Sequence, residues 1–220
     1  MPKLILHRLK WFVMRRLGIS KEYLGSLDSS GEPKWLVETI TNWRGTFIDV
    51  GAGVGEYLLK TNAEHVYGFE PDIRAYRQIM HRLENVGERI TVFRTALSDR
   101  NGDDYITITN GILQSTLSLQ RHGEKLRTET KKLDTVVFTE RKIVPEGPVL
   151  IKLDTEGHEH KILQGGLIFL EVFRPVILVE YHENLKDVCR VLKQRRYRVV
   201  RHQPDRYSDF QRGWMMCSAE

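Results

Sequence analysis

The sequence predicts an α/β fold with a mostly parallel sheet covered by helices on both faces. Three observations carry this. Segments 46–50, 149–153 and 175–179 are near-continuous apolar runs that alternate with helical patterns, the signature of strands buried on both faces. The first of these runs leads into a glycine loop, Gly51-Ala52-Gly53-Val54-Gly55. Strand ends are also repeatedly acidic, at Asp49, Glu70, Asp154 and Glu180, with Asp99 just beyond another strand. Ligands of such sheets bind outside the carboxyl ends of the strands, where strand order reverses.

In chain order, residues 33–43 predict a short helix, with Pro33 at its start, an apolar stripe of Trp35, Leu36, Val37, Ile40 and Trp43, and Gly45 at its end. Strand 46–50 and the glycine loop follow, then a brief helix over 57–59. The next strand, 66–70, is stopped by Pro71. Asp72 is a natural N-cap for a helix carrying Tyr76, Ile79, Met80 and Leu83. A strand over 90–94, a turn at Asn101-Gly102 and an alternating strand over 105–109 come next. Residues 110–128 mix glycine, serine, threonine and charge and read as a loop over the site. Beyond them come a strand over 149–154, a helix over 160–171, a strand over 175–180, a helix over 185–195 and strands near 197–201 and 214–217.

A chain of 220 residues, 29% charged and 40% hydrophobic, suits one globular core. The expected division is an N-terminal helical extension over 1–44, packing on or near the core, and a main domain over 45–220. A formal charge of +5 is compatible with an anionic substrate, a membrane surface or nucleic acid and selects none. Cys189 and Cys217 lack metal-ligand spacing and read as free thiols in a reducing compartment. No apolar run approaches the roughly 20 residues of a membrane span, so the expected location is cytoplasmic. Residues 1–20 interleave five basic residues with apolar ones and contain no acid. They predict either a docking helix with solvated charges or a helix lying on a membrane surface.

The glycine loop narrows the ligand. Dinucleotide sites use G-x-G-x-x-G and place pyrophosphate at a helix N-terminus. Here Gly51, Gly53 and Gly55 are one residue tighter, and Asp49 sits in the strand just before them. A carboxylate repels pyrophosphate and attracts the ammonium of an amino acid, which suits S-adenosylmethionine. Glu70, ending the next strand, can accept hydrogen bonds from both ribose hydroxyls.

Several further motifs stand in order: Gly68-Phe69-Glu70-Pro71, Ala96-Leu97-Ser98-Asp99, Lys132-Leu133-Asp134-Thr135, the run Asp154-Thr155-Glu156-Gly157-His158-Glu159, and Arg174-Pro175 leading to Glu180. With the glycine loop they resemble the FkbM-type methyltransferases over about residues 46–183. The resemblance implies a Rossmann-like class I methyltransferase fold with a seven-stranded sheet. It also implies S-adenosylmethionine as donor and usually a hydroxyl acceptor on a sugar or polyketide. Asp49, Gly51, Ala52, Gly53, Gly55, Glu70, Pro71, Ala96, Leu97 and Ser98 are then the expected donor-binding residues. Two features depart from the family pattern: the helix after the glycine loop is short, and Ala52 stands where asparagine is frequent.

Methyl transfer to a hydroxyl requires a positioned acceptor and a base to take its proton. The candidates are Asp154, Glu156, His158, Glu180 and His182. Asp154 or His182 is the expected base, with Glu156 and Glu180 positioning the acceptor; His158 has an equally good reading as a packing residue. A divalent cation held by Asp154, Glu180 and His182 is the less favoured alternative. Two rival functions remain. Lys152, Asp154 and Glu180, with the basic run Arg190, Lys193, Arg195, Arg196, Arg198 and Arg201, are compatible with RNA 2′-O-methylation, although a second lysine is missing. A non-catalytic module that retains the cofactor pocket is the other.

Overall fold

The computed structural model describes residues 32–84, 86–108, 115–116, 123–182, 184–204 and 212–220. The basic segment 1–20 and most of the first part of the predicted loop 110–128, up to residue 122, lie outside them.

The main sheet has seven strands: β1 (Thr46–Val50), β2 (His65–Phe69), β3 (Ile90–Phe93), β8 (Val149–Leu153), β9 (Val176–Tyr181), β10 (Tyr197–Pro204) and β11 (Gly213–Ala219). Their order is β3-β2-β1-β8-β9-β11-β10. All neighbours from β3 to β9 are parallel, and β11 runs antiparallel to both β9 and β10. Chain order reverses between β1 and β8, so the crevice for a ligand opens at their carboxyl ends. Asp49 and Asp154 lie there.

Alternation along these strands sorts the core into two layers. Ile48, Val50, Ile151, Leu153, Ile177 and Val179 pack on one face, against α4 (Glu159–Gly165), α5 (Leu167–Phe173) and α6 (Leu185–Gln194). Phe47, Leu150, Leu178 and Trp214 face the other side, under α1 (Lys34–Thr41), α2 (Glu56–Lys60) and α3 (Ile73–Leu83). Asp49 and Lys152 share the phase of Phe47 and Leu150, so their charged groups are directed into the second layer.

The glycines explain several local departures from the predicted elements. Gly45 lies beyond the end of α1, which closes at Asn42; it takes φ of +96° as the step into β1. The predicted helix 160–171 is two helices that meet at Gly165-Gly166. A Cβ on Gly165 would come 1.9 Å from the Ser98 carbonyl oxygen, so only glycine lets this helix end close on that backbone. The helix after the glycine loop is five residues long, as the short spacing predicts.

Residues 124–128 correct the predicted loop 110–128. They belong to β7 (Glu124–Lys131), which pairs antiparallel with β5 (Gly102–Ile108) and parallel with β4 (Ala96–Leu97) in a small second sheet. β6 (Ser115–Thr116) pairs with the other side of β5. β7 does alternate, but its buried positions include Thr128 and Thr130 rather than large aliphatics, so the pattern was hidden among polar residues. Cys189 and Cys217 are buried free thiols, in line with expectation. No helix of the described residues is long and apolar enough to cross a membrane.

Candidate active site

The glycine loop forms a tight arch over the ends of β1 and β8. Gly51, Gly53 and Gly55 all have positive φ, of 79°, 55° and 78°. A Cβ on Gly51 would meet the Asp154 carbonyl oxygen at 1.9 Å, so the loop and the end of β8 touch through bare backbone. The Asp154 N–H donates to Val50 O at 3.0 Å, which ties the two strand ends together. Ala52 is buried under the loop.

Glu70 braces this arch from the end of β2. Its Oε2 accepts from the Gly53 N–H and its Oε1 from the Asp72 N–H, both at 2.8 Å. Burial pushes its carboxyl up to about 8 against the pull of those two donors. Pro71 turns the chain toward α3, where the buried Asp72 caps the helix by accepting from the Arg74 N–H. Ala96, Leu97 and Ser98 are buried at the β4 edge, and the Ser98 N–H donates to Lys131 O at 2.8 Å.

Between the glycine loop and the Asp154 side chain lies Lys152, directly opposite Asp49 in the β1–β8 register. Its Nζ is 3.1 Å from Asp49 Oδ1 and 3.3 Å from Asp154 Oδ2. Burial disfavours the ammonium, but the two carboxylates outweigh it and raise its pKa. One ammonium offsets only part of the burial cost of two carboxylates, so Asp49 is also raised, chiefly by desolvation. Its Oδ2 is buried and, among the described residues, has no hydrogen-bond partner.

Beyond Lys152 the structure brings Asp154, Glu156, Glu180 and His182 together. Ligand-capable atoms of Asp154, Glu180 and His182 all lie within 4.8 Å of one another. His182 Nε2 is 3.6 Å from Glu180 Oε2 and 3.8 Å from Glu156 Oε2. Arg212 Nε donates to Glu180 Oε1 at 2.7 Å, and its Nη2 lies 4.0 Å from Glu156 Oε1. Burial would raise Glu180, but His182, Asp154 and Arg212 outweigh it and hold it at about 2. Asp154 goes the other way: burial raises it, Lys152 lowers it, and the neighbouring Glu180 carboxylate raises it again, to about 7. For His182, burial is outweighed by the surrounding carboxylates and the pKa rises.

His158 does not join this group. It is buried, with Nε2 3.0 Å from Ser98 Oγ, whose hydroxyl donates to Asp99 Oδ1. Burial and the nearby Lys161 push its pKa down to about 4, so the ring is neutral and packs α4 against the β4 edge. This matches the packing alternative read from the sequence.

Four residues outside the expected catalytic and donor-binding sets shape the site: Lys152, Glu159, Asn184 and Arg212. The loop after β8 holds Glu156 at φ of +55° and Gly157 at +105°. Buried Glu159 stabilises that conformation: its Oε1 accepts from Thr155 N, Thr155 Oγ1 and Gly157 N at 2.9, 3.1 and 3.0 Å. Asn184 Nδ2 donates to Glu159 Oε2 at 2.7 Å, and Asn184 Oδ1 accepts from the His182 N–H. Glu159 could have been found as the last acid of the Asp154–Glu159 run. Arg212 belongs to no motif, and only the antiparallel β9–β11 pairing brings it to Glu180.

Comparisons with known proteins agree with this architecture. The chain is 27% identical over 166 residues to the hexuronic acid methyltransferase AglP of Haloferax volcanii, spanning 74% of this chain and 67% of that one. An FkbM methyltransferase structure from Methylobacillus flagellatus KT superposes with a TM-score of 0.55 at 18% identity. That likeness covers 80% of this chain, which spans only 44% of that protein's length. A ribosomal protein L11 methylase from Lactobacillus delbrueckii subsp. bulgaricus gives a TM-score of 0.51 at 9% identity, over 84% of this chain and 74% of that one. These two likenesses concern the fold. The methyltransferase FkbM domain model matches residues 49–199, from Asp49 through the third residue of β10, and on that match the chain belongs to the FkbM family of methyltransferases.

Proposed function

We propose that the protein transfers a methyl group from S-adenosylmethionine to a hydroxyl of an anionic sugar, a hexuronic acid or a glycan that carries one. The observation that carries this reading is a near-neutral carboxyl, Asp154, whose backbone touches the glycine loop while its side chain joins Glu180 and His182. A donor site and a proton acceptor thereby adjoin at the sheet's reversal point.

The residues fit the donor. Asp49 Oδ2 is a buried acceptor without a partner among the described residues, the complement of an ammonium group. Glu70 spends one backbone N–H on each oxygen, which leaves lone pairs for ribose hydroxyls. Bound S-adenosylmethionine supplies an electrophilic methyl on a cationic sulfur. The chain orients the acceptor and removes its proton. Asp154 takes the hydroxyl proton, a role worth about 10²–10⁴-fold in rate. Glu180, held ionised by Arg212, and Glu156 accept hydrogen bonds from neighbouring hydroxyls. His182, its pKa raised by these carboxylates, donates to the acceptor.

The sugar class rests on the resemblance to AglP, named as a hexuronic acid methyltransferase. A hexuronic acid also offers a carboxylate, but methylating that needs no base, so a near-neutral Asp154 favours the hydroxyl. The test is methyl-labelled S-adenosylmethionine with a panel of uronic acid glycans, neutral glycans and RNA. Label is expected in uronic acid glycans, in a product that survives mild alkali as an ether does. An alkali-labile product would mean ester formation. Transfer to RNA with a steep salt dependence would replace the sugar reading.

A further inference from the structure

We propose that Lys152 is a positioning residue that couples the donor side of the site to the acceptor side, one ammonium holding Asp49 and Asp154 in a fixed relation. The inference rests on the donor and acceptor assignments above and adds a residue to them.

The geometry is specific. A lysine in the middle strand of a parallel sheet is costly unless its charge is matched, and Lys152 is only 2% exposed. It stands on β8 opposite Asp49 on β1, and its side chain follows the same face of the strand as Asp154 two residues on. At 3.1 and 3.3 Å its Nζ reaches one oxygen of each carboxylate. The walls of its slot are aromatic: Nζ lies 5.4 Å from the centroid of the Tyr57 ring and 5.8 Å from that of Trp214, within the range of cation–π attraction. Tyr57 belongs to the helix that follows the glycine loop, and Trp214 pairs in register with Glu180. Lys152 is therefore enclosed by one residue from each half of the site and bonded to one acid from each half. A shift of either carboxylate is felt by the other through the ammonium.

The test is Lys152→Met, which keeps an unbranched stem between the two rings and removes the charge. Folding is checked by near-ultraviolet circular dichroism. S-adenosylhomocysteine binding is measured by calorimetry for the wild type, Lys152→Met, Asp49→Asn and the double variant. Each single variant is expected to lose about tenfold or more in affinity, and the double variant no more than the worse single, because coupled sites do not add. The Asp154 carboxyl is titrated by carbon-13 resonance, assigned by its loss in Asp154→Asn. Its midpoint is expected to rise by about one pH unit or more in Lys152→Met. Affinity in Lys152→Met equal to the wild type, multiplying losses in the double variant, or an unmoved Asp154 midpoint would each overturn the coupling. Should Lys152→Met not fold, Asp49→Asn alone still tests the link: Lys152 then serves Asp154 only, and the midpoint must fall. A wild-type protein that does not bind S-adenosylhomocysteine would instead remove the donor reading, and the coupling with it.

Discussion

A carboxyl that titrates near pH 7 can accept a proton at neutral pH and still be regenerated, and Asp154 is held there by opposed neighbours. Its raised pKa gives a direct expectation. A base must be unprotonated, so kcat/KM should climb as pH rises through about 7 and level off above it, whereas an acid limb below pH 5 would exclude Asp154 as the base. Asp154→Asn should lower transfer by roughly 10²–10⁴-fold; normal turnover would remove the role. Glu70 braces the loop through the Gly53 and Asp72 N–H groups, and in the proposed reading it also meets the donor's ribose. Glu70→Ala should weaken S-adenosylhomocysteine by about 0.5–1.5 kcal/mol for each lost hydrogen bond. Glu70→Gln, which keeps one acceptor oxygen, should lose less. Equal affinity in wild type and Glu70→Ala by calorimetry would reject the assignment.

At the scale of elements, the loop between β8 and α4 concentrates the chemistry and the strain. A non-glycine residue at positive φ costs about 1–2 kcal/mol, and Glu156 occupies such a conformation because its flanks are over-determined. Thr155 and Gly157 both donate to Glu159, which Asn184 holds from the start of α6. Glu159→Ala should therefore strand two backbone N–H groups at about 1–3 kcal/mol each, a loss that urea unfolding would register. Transfer should fall as well, because Asp154 and Glu156 lose their fixed relation. Wild-type stability in that variant would show that the loop is held by something else. On the opposite side, α4 can approach β4 only through Gly165, and the same contact fixes neutral His158 on Ser98.

At the scale of the whole molecule, two cations of the chain itself, Lys152 and Arg212, sit on the carboxylates that could otherwise gather a divalent ion. Turnover should accordingly survive dialysis against a chelator. A loss restored by magnesium would make Asp154, Glu180 and His182 metal ligands instead, with hard oxygen donors suited to that ion.

The buried strands and the acids at their ends were legible in the sequence, because burial on both faces demands unbroken apolar runs and a ligand crevice demands polar residues where those runs stop. The glycine loop was legible for a similar reason: positive φ at three close positions leaves few residues but glycine. Side-chain environment was not. His158 and His182 look alike in the sequence, yet one is buried against Ser98 at a pKa near 4 and the other is raised among carboxylates. Lys152 meets Asp49 across 103 positions of the chain, and Arg212 meets Glu180 across 32. The sequence by itself determined the fold class, the glycine loop and the acids at the strand ends, all consequences of local pattern. Only the tertiary structure decided which of those acids has its pKa raised and which has it lowered, because a buried charge is set by its nearest partners, and strand pairing brings those partners from distant parts of the chain.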